Sequence, residues 1–433
     1  MSQTADNPPP WLSQMSTDIW AWLGSLQTQS GIGYYKFSDK GSLFETTDTS
    51  GLGISCLALK LTYMLGLKHL FRDNQLDGWI EMIRSFQTDE GFFEDPALLS
   101  VLDKRSGLFH RDEKTRSAET RQACAALMCY NRAPNKPLPP VPMSKNAICK
   151  FMNKLRWDIP YASASHVSHL MAFHKINRDL FSNSDSHTAS ISIIVEELDK
   201  LRDPKTGTWY RRRNAIQHIL MTLGRYRAFI VHFPWSRPWR AGPEFYRLAR
   251  FLKIHKVLSI EVNRIPKSDR VNEELDETKN VENGLWFNRQ PSSRQLINGA
   301  MKIITGYSFC DIEFGKPEGL IDICLDHLNK ADGCDNADIV YVLHKCHSIT
   351  SYRSGEIREY ALDRIEHIRQ FRVATGGFSY FLGRSQTSYY GVPVTSGLHS
   401  ADIHGTTLFI WSLVMLADIL GWRDKLGWEL PVT

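Results

Sequence analysis

The sequence lacks the features that would assign it at once to a specialised class. It has eight cysteines but no Cys-x-x-Cys pair, and most of them lie in apolar helical patterns, which predicts reduced, buried thiols in a cytoplasmic protein. Its 52 basic and 47 acidic residues give a formal net charge of only +5, which is too weak to indicate nucleic-acid binding. The polar, Pro-rich start, Met1 to Pro10, does not resemble a secretory signal.

Long apolar runs and strand patterns are also scarce. The most apolar run, Thr406 to Trp422, is interrupted by Asp418 and predicts a buried helix rather than a transmembrane segment. With 42% hydrophobic and 23% charged residues, the composition is that of an ordinary folded protein. We therefore predict a single domain over residues 1–433, with a disordered tail at about 1–12 and a charged, solvated loop at about 263–282.

What the sequence does contain is a repeated turn. In each copy a helical run ends in a short segment in which glycine is followed by an aromatic residue, and a second, more apolar helix comes next. A helical hairpin of this kind cannot bury its apolar face alone, so the copies are expected to stack on one another. The clearest copies are Gln27 to Tyr34, Gln87 to Phe93, Arg202 to Trp209, Asn283 to Trp286 and Thr375 to Tyr380.

Helix start and stop signals predict about six such hairpins. The Pro-rich segment Pro134 to Pro142 forbids helix and predicts a surface connection. The approximate predicted helices are Thr17 to Leu26, Ser50 to Tyr63, Gln75 to Ser85, Arg116 to Cys129, Lys145 to Leu155, Ser163 to His174, Ser190 to Leu201, Arg213 to Leu223, Phe245 to Ile254, Arg294 to Gly306, Pro317 to Asn329, Asp335 to Cys346, Gly355 to Phe371 and Asp402 to Leu420.

The second helix of each pair is the more apolar one. Gly51 to Leu61 and Thr406 to Leu416 carry almost no charge, whereas first helices such as Gly355 to Phe371 are amphipathic. A helix that is apolar on nearly all sides is buried, and an amphipathic helix lies outside it. The sequence therefore predicts an all-α fold, an (α/α)6-type toroid with an inner ring of apolar helices and an outer ring of amphipathic ones. An open, stacked solenoid is the alternative.

In a toroid the starts of the inner helices face one central mouth, where helix dipoles favour anions. The connection at residues 376–391 is also too long for a simple turn, and long aromatic loops of this kind commonly bind ligands. The polar and aromatic residues of these regions and of the repeated turns are candidates for substrate binding. They are Arg116, Arg121, Trp209, Arg213, Trp286, Tyr380, Arg384, Tyr389 and Tyr390.

Two short segments carry the candidate catalytic residues. Asp335 and Asp338 lie three residues apart, on one face of a predicted inner helix, where close carboxylates raise each other's pKa and one of them can serve as a proton donor. Asp402 and His404 open the last inner helix, and His404 would act as a general base or proton shuttle. Capping of the helix start is the alternative role for each aspartate.

The Gln-x-x-x-Gly-aromatic turns, at Gln27 to Tyr34 and Gln87 to Phe92, resemble those of the terpenoid-cyclase and protein-prenyltransferase toroid superfamily. This resemblance covers most of the chain at the level of repeat architecture. The segment from Asp335 to Asp338 is also similar to the Asp-x-Asp-Asp acid motif of class II terpene cyclases, in which the middle aspartate protonates the substrate. Ala337 stands in that position here, so the resemblance implies that Asp335 or Asp338 donates the proton.

The same resemblance implies two metals. Asp332, Cys334 and His404 are similar to the zinc ligands of prenyltransferase β subunits, in which an Asp-x-Cys pair and a later histidine hold Zn²⁺. A prenyltransferase-like reaction also implies Mg²⁺ bound with a diphosphate substrate, which arginines would hold.

Three classes of function remain open. The first is a cyclase- or prenyltransferase-like enzyme for an isoprenoid, working by acid-initiated or diphosphate-assisted carbocation chemistry, with aromatic rings that stabilise the cation. The second is a carbohydrate-active lyase, epimerase or hydrolase, in which Tyr389, His404, Arg384 and Arg121 would act beside a uronate carboxylate. The third is a non-catalytic scaffold for a partner. A deep aromatic cavity would favour the first, an Arg-rich cleft the second, and a plugged cavity the third.

Overall fold

A computed structural model describes residues 7–72, 74–100, 111–182, 185–211, 291–327 and 333–433. These ranges are mostly helical, which confirms the prediction of an all-α fold. The helices are α1 Pro10–Ser13, α2 Met15–Leu26, α3 Leu52–Met64, α4 Gln75–Ser85, α5 Arg111–Cys129, α6 Lys145–Lys154, α7 Pro160–Asn177, α8 Asp185–Asp199, α9 Ser293–Phe309, α10 Pro317–Asp326, α11 Gly333–His347, α12 Ser354–Arg369, α13 Ile403–Leu420 and α14 Arg423–Leu426.

Shorter elements join these helices. Leu67–Leu70 form a 3-10 helix and Arg178–Ser182 a π-helix. The strands β1 Ser388–Tyr389 and β2 Val392–Pro393 form a small antiparallel hairpin in which Tyr389 lies opposite Val392. The sequence did not predict this hairpin, which lies in the long connection before α13.

Several predictions differ from the structure at helix ends or lie beyond the described residues. The predicted disordered tail at residues 1–12 is too long, because Pro10–Ser13 form helix α1 and the Leu12 side chain is completely buried. Helix α5 begins at Arg111 rather than Arg116. The helices predicted at 213–223 and 245–254, the charged loop at 263–282 and the turn at 283–286 lie outside the described residues.

The helix starts follow recognisable capping chemistry. Ser144 accepts a hydrogen bond from the Ala147 backbone N–H and so caps α6. Ser292 and Gln295 form a reciprocal capping box at the start of α9. Proline stands at the beginning of α7 and α10, where its missing N–H costs no helical hydrogen bond.

Four of the predicted Gly-aromatic turns share one geometry. In each, the glycine has a positive φ, between 70° and 114°, which favours glycine over any residue with a side chain. An isolated antiparallel bridge closes each turn, and the aromatic residue of the bridge is almost completely buried. The four bridges are Gln27 with Tyr35, Gln87 with Phe93, Arg202 with Trp209, and Arg372 with Phe378.

The more apolar helices pack against one another. Helix α3 contacts α5 and α13, α5 contacts α7, α7 contacts α9, α9 contacts α11, and α11 contacts α13. Helix α13 is long and apolar enough to cross a membrane by length and composition alone, but 78% of it is buried inside the structure, as in a core helix. The amphipathic helices α8, α10 and α12 pack on α7, α11 and α13 respectively.

Candidate active site

A small cavity lies where the start of α3 and one side of α5 meet the β1–β2 hairpin. It has about 280 Å³ of empty volume, part of which is open to solvent. Apolar side chains form most of its wall, and two carboxyl groups and one tyrosine are its polar members. The lining residues are Phe37, Phe44, Gly51, Gly53, Ile54, Asp95, Leu98, Glu119, Tyr389, Val392 and Val394.

Glu119 of α5 is the unusual member of this wall. Its side chain is only 2% exposed, and one carboxyl oxygen, Oε2, has no hydrogen-bond partner among the described residues. The Tyr389 hydroxyl donates to the other oxygen at 3.5 Å. Burial raises the pKa of Glu119 to about 8, and the negative charge of Asp95 acts in the same direction. Glu119 is therefore mostly protonated at neutral pH.

Asp95 is the second carboxyl group of the cavity, and unlike Glu119 it has several hydrogen-bond donors around it. It accepts hydrogen bonds from the backbone N–H groups of Gly51 at 2.6 Å, Leu52 at 3.3 Å, Ala97 at 3.0 Å and Leu98 at 3.2 Å. Burial raises its pKa, but the four amide donors oppose that shift and favour the ionised form. Asp95 thus holds the start of α3 in place, while Glu119 keeps a proton.

Tyr389 connects Glu119 to His404. Its ring meets the His404 ring edge-on, with centroids 5.3 Å apart, and Tyr380 stacks on the other side of the imidazole at 5.4 Å. The Gln386 side-chain carbonyl lies 2.7 Å from His404 Nδ1, so Nδ1 carries the proton and Nε2 keeps a free lone pair. Burial lowers the pKa of His404 to about 4, and the imidazole is neutral at pH 7.

Asp338 lies in a second group of polar side chains on α9 and α11. It is 3% exposed and accepts a hydrogen bond from the Asn298 amide, whose oxygen in turn accepts one from Lys302 at 2.9 Å. Burial raises the pKa of Asp338 to about 7, and the Lys302 charge opposes the shift. Asp338 is therefore partly protonated at neutral pH. Asp335 instead forms an ion pair with Arg294 at 2.7 Å.

Tyr380 joins this second group to His404. The Cys334 backbone N–H donates to the Tyr380 hydroxyl at 3.4 Å, while the Tyr380 ring stacks on His404. A Cβ atom at Gly333 would lie 2.6 Å from the Tyr380 ring, and one at Gly405 would lie 2.5 Å from its backbone nitrogen. Both glycines therefore permit the close approach of Tyr380, which holds the starts of α11 and α13 together.

Asp402 has a structural role in this arrangement. Its side chain is completely buried and accepts hydrogen bonds from the backbone N–H groups of Gly405 at 2.7 Å, Tyr380 at 2.9 Å and Gln386 at 3.1 Å. Burial raises its pKa to about 6, and these three amide donors oppose the shift. Asp402 does not line the cavity, so the capping role describes it better than the predicted catalytic one.

Several predicted substrate-binding residues lie away from the cavity. Arg116 forms ion pairs with Glu90 and Glu94, so its charge is already neutralised. Arg384 is exposed and lies over the Phe381 ring. Trp209 is 1% exposed and packs in the core beneath the guanidinium of Arg202. Tyr390 contacts the Tyr389 ring, with centroids 4.5 Å apart, and is 39% exposed.

The metal predictions depend on residues that the structure covers only in part. Asp332 lies outside the described residues, as do Arg213 and Trp286. In the described part of the chain, no three His, Cys, Asp or Glu side chains lie together as a metal site. Burial also raises the pKa of the Cys334 thiol to about 11, which disfavours the thiolate that zinc binds.

Glu119 is not among the candidate residues that the sequence patterns indicated. The sequence did contain an indication of a buried acid, because Glu119 precedes the long uncharged run from Ala123 to Cys129. Lys60, the single charged residue of α3, offered a similar signal. Nothing in the sequence pointed to Asp95, whose role depends on the folded position of the α3 start.

Comparison with known proteins adds no further constraint on this site. No protein-family model matches the chain, and neither a curated protein nor a solved structure matches it.

Proposed function

We propose that α3, α5, α7, α9, α11 and α13 form the inner ring of an (α/α)6 toroid. The support is the cyclic set of contacts, in which each of these helices packs on two of the others and α13 packs on α3. A second contact joins the same ends of the chain, because Arg372 in the last Gly-aromatic turn forms an ion pair with Asp18 of α2. The open solenoid is the weaker alternative, since its first and last hairpins would not meet.

The burial pattern of the inner helices supports the same architecture. Along α13 the half-buried positions His404, Leu408 and Trp411 form one stripe, while nearly every other residue is buried. Lys60 in α3 and Arg121 in α5 are likewise half-buried among buried neighbours. Side chains that face a narrow central channel are expected to show this pattern.

We further propose that the protein is an enzyme that starts the cyclisation or isomerisation of an isoprenoid-like alkene by protonating it. The observation that carries this proposal is Glu119, a buried carboxylic acid in the wall of a mostly apolar cavity, with one oxygen that no described residue hydrogen-bonds. A carboxyl group kept neutral at pH 7 in this way is suited to general acid catalysis.

The chemistry follows from the neighbours of Glu119. The alkene π electrons take the Glu119 proton, one new C–H bond forms, and the adjacent carbon becomes a cation. The Phe37, Phe44 and Tyr389 rings stabilise this cation through their electron-rich faces. Loss of a proton from the rearranged cation, to His404 Nε2 or to water, gives a product with the formula of the substrate, and solvent returns a proton to Glu119.

The cavity wall favours this chemistry over carbohydrate chemistry. It is mostly apolar and offers few partners for the hydroxyl groups of a saccharide, and Arg116 and Arg384 lie elsewhere. Arg294 is neutralised by Asp335, which weakens the diphosphate-assisted form of the reaction. The enclosed space of the cavity is only about 10 Å³, room for a single water-sized group, so an alkene would reach Glu119 only if the surrounding side chains move. The free state of all eight cysteines supports the proposed cytoplasmic location.

The test is incubation of the full chain in D₂O with farnesol, farnesoic acid and farnesyl diphosphate, followed by mass spectrometry of the products. We expect a product that carries one added carbon-bound deuterium, because the proton of Glu119 exchanges with solvent. Glu119→Gln should reduce the rate at least about a hundredfold, the usual contribution of a general acid.

Glu366→Gln is the matched control, because Glu366 lies on the exposed side of α12 and its side chain is 56% exposed. It should retain full activity. Asp338→Asn tests the alternative acid. Products that need Mg²⁺, release diphosphate and carry no deuterium would contradict the proposal and favour the diphosphate-assisted reaction.

A further inference from the structure

Arg121 is a cation that has no paired anion in the described ranges. It lies on α5, half-buried, and in the described part of the chain no carboxylate pairs with it. Its Nε is buried and has no hydrogen-bond partner among the described residues. Burial lowers the pKa of Arg121, and the hydroxyls of Tyr390, Tyr341 and Tyr389 oppose that shift. A buried guanidinium left unpaired costs folding free energy, so Arg121 is a candidate for binding an anion.

A second cation lies beside it. Lys60 is the only charged residue of α3, and its ammonium group donates to the Gln122 side-chain oxygen at 3.1 Å. Burial lowers the pKa of Lys60 to about 8, and the positive charge of Arg121 acts in the same direction. Two cations are thus held close together on neighbouring helices. Lys302 of α9, by contrast, donates to the Asn298 side-chain oxygen at 2.9 Å.

We propose that Arg121 and Lys60 bind the carboxylate head group of the substrate. This inference rests on the proposed function, and it names the substrate class as an apolar alkenoic acid. A carboxylate fits for two reasons. The planar guanidinium matches its two oxygens in a bidentate pair, and its single negative charge suits a site with two cations. A diphosphate carries more negative charge than these two residues can balance.

Tyr389 lies near both parts of the proposed site, the acid Glu119 and the cation Arg121. Tyr389 contacts Glu119 through its hydroxyl and also lies near Arg121. Glu119 and Arg121 are two positions apart on α5 and therefore point to different sides of the helix. A chain-like substrate would place its carboxylate at Arg121 and reach past the Tyr389 ring, so that an alkene carbon lies at Glu119.

Binding of farnesoic acid, farnesol and farnesyl diphosphate to the full chain, measured by isothermal titration calorimetry, tests the inference. We expect farnesoic acid to bind more tightly than both others. Arg121→Gln and Lys60→Met should each weaken farnesoic acid binding about tenfold or more, since each removes a charge-assisted contact. Neither substitution should change the affinity for farnesol. Arg369→Gln, on the exposed side of α12, is the matched control and should leave all three affinities unchanged.

One further variant and three outcomes test the carboxylate site and the proposed function separately. Arg121→Lys keeps the charge without the planar fork, so it should restore part of the lost affinity and report on the site even if Arg121→Gln unfolds. An Arg121→Gln variant that is folded by circular dichroism and still binds farnesoic acid normally would overturn the inference, as would tighter binding of the diphosphate. If farnesoic acid binds through Arg121 but no deuterated product forms, the proposed function fails and the carboxylate site stands.

Discussion

Two carboxyl groups in one cavity differ in how strongly their surroundings favour the ionised form, because their nearest donors differ. Four backbone N–H groups surround Asp95, whereas among the described residues Glu119 receives one long hydrogen bond from Tyr389 and none at Oε2. A negative charge on Asp95 then makes a second one on Glu119 more costly. The acid of the proposed reaction is thus selected by its surroundings rather than by its residue type.

The raised pKa of Glu119 predicts how stability depends on pH. Its pKa rises from 4.5 in the unfolded chain to about 8 in the fold, so its contribution is fully present below pH 4.5 and is lost as pH rises through about 8. Glu119→Gln should remove this loss. We expect the free energy of unfolding of the variant to fall less between pH 5 and pH 8 than that of the wild type, by an amount on the order of a few kcal/mol.

Urea denaturation of both proteins at the two pH values measures this difference. The exposed Glu366→Gln variant should follow the wild type at each pH. Parallel curves for Glu119→Gln and the wild type would mean that Glu119 is ionised in the folded protein, and the proposed acid would then be lost.

The segment before α13 shows how one buried side chain positions an irregular element. Asp402 bonds to backbone groups on three separate stretches, at Gly405, Tyr380 and Gln386, and so fixes the loop that carries Tyr389. The loop supplies both the Tyr380 and Tyr389 rings that enclose His404. The site therefore depends on Asp402 although Asp402 does not line the cavity.

Asp402→Ala should consequently destabilise the protein by about 2–4 kcal/mol, because it leaves three buried N–H groups without acceptors. Asp402→Asn keeps one carbonyl acceptor and should cost less. Thermal denaturation followed by circular dichroism gives the order of stability of the wild type and the two Asp402 variants. A fully stable Asp402→Ala variant that has lost activity would instead indicate the catalytic role that the sequence predicted.

The helices could be predicted from the sequence because their signals are local. Apolar periodicity, prolines at helix starts and the glycine turns are written within a few residues of each element, and α4 has the predicted bounds Gln75–Ser85. The site is harder to predict because its parts come together from distant positions. Glu119 owes its raised pKa to burial and to the charge of Asp95, and its hydrogen-bond partner Tyr389 lies 270 residues further along the chain. A pattern within a few consecutive residues cannot indicate a contact between positions so far apart in the chain.

At the scale of the described chain, three of the glycine turns pack closely on other hairpins. A Cβ atom at Gly91, Gly207 or Gly376 would lie against the backbone carbonyl oxygen of Pro137, Lys316 or Asp18 respectively. The last of these contacts connects the turn after α12 to α2, near the opposite end of the described chain. Gly31, with the same backbone conformation, has open space where a Cβ atom would lie.

Alanine at Gly31 and at Gly376 therefore provides a matched comparison. Both positions have positive φ, 101° and 114°, so each alanine should cost about 1–2 kcal/mol in backbone strain. At Gly376 the new Cβ would also lie 2.8 Å from the Asp18 carbonyl oxygen and should cost about 1–3 kcal/mol more. Urea denaturation measures both, and equal costs would argue that the contact between the last turn and α2 is loose.

The packing of one hairpin on another limits how the number of hairpins can change during evolution. A gain or loss of one hairpin in an open array disturbs a single junction. Here Gly91, Gly207 and Gly376 fit against carbonyl oxygens of other hairpins, and the last turn fits against α2. In the proposed closed ring, inserting or removing one copy would require two junctions to be rebuilt at once, so the number of hairpins is expected to stay fixed.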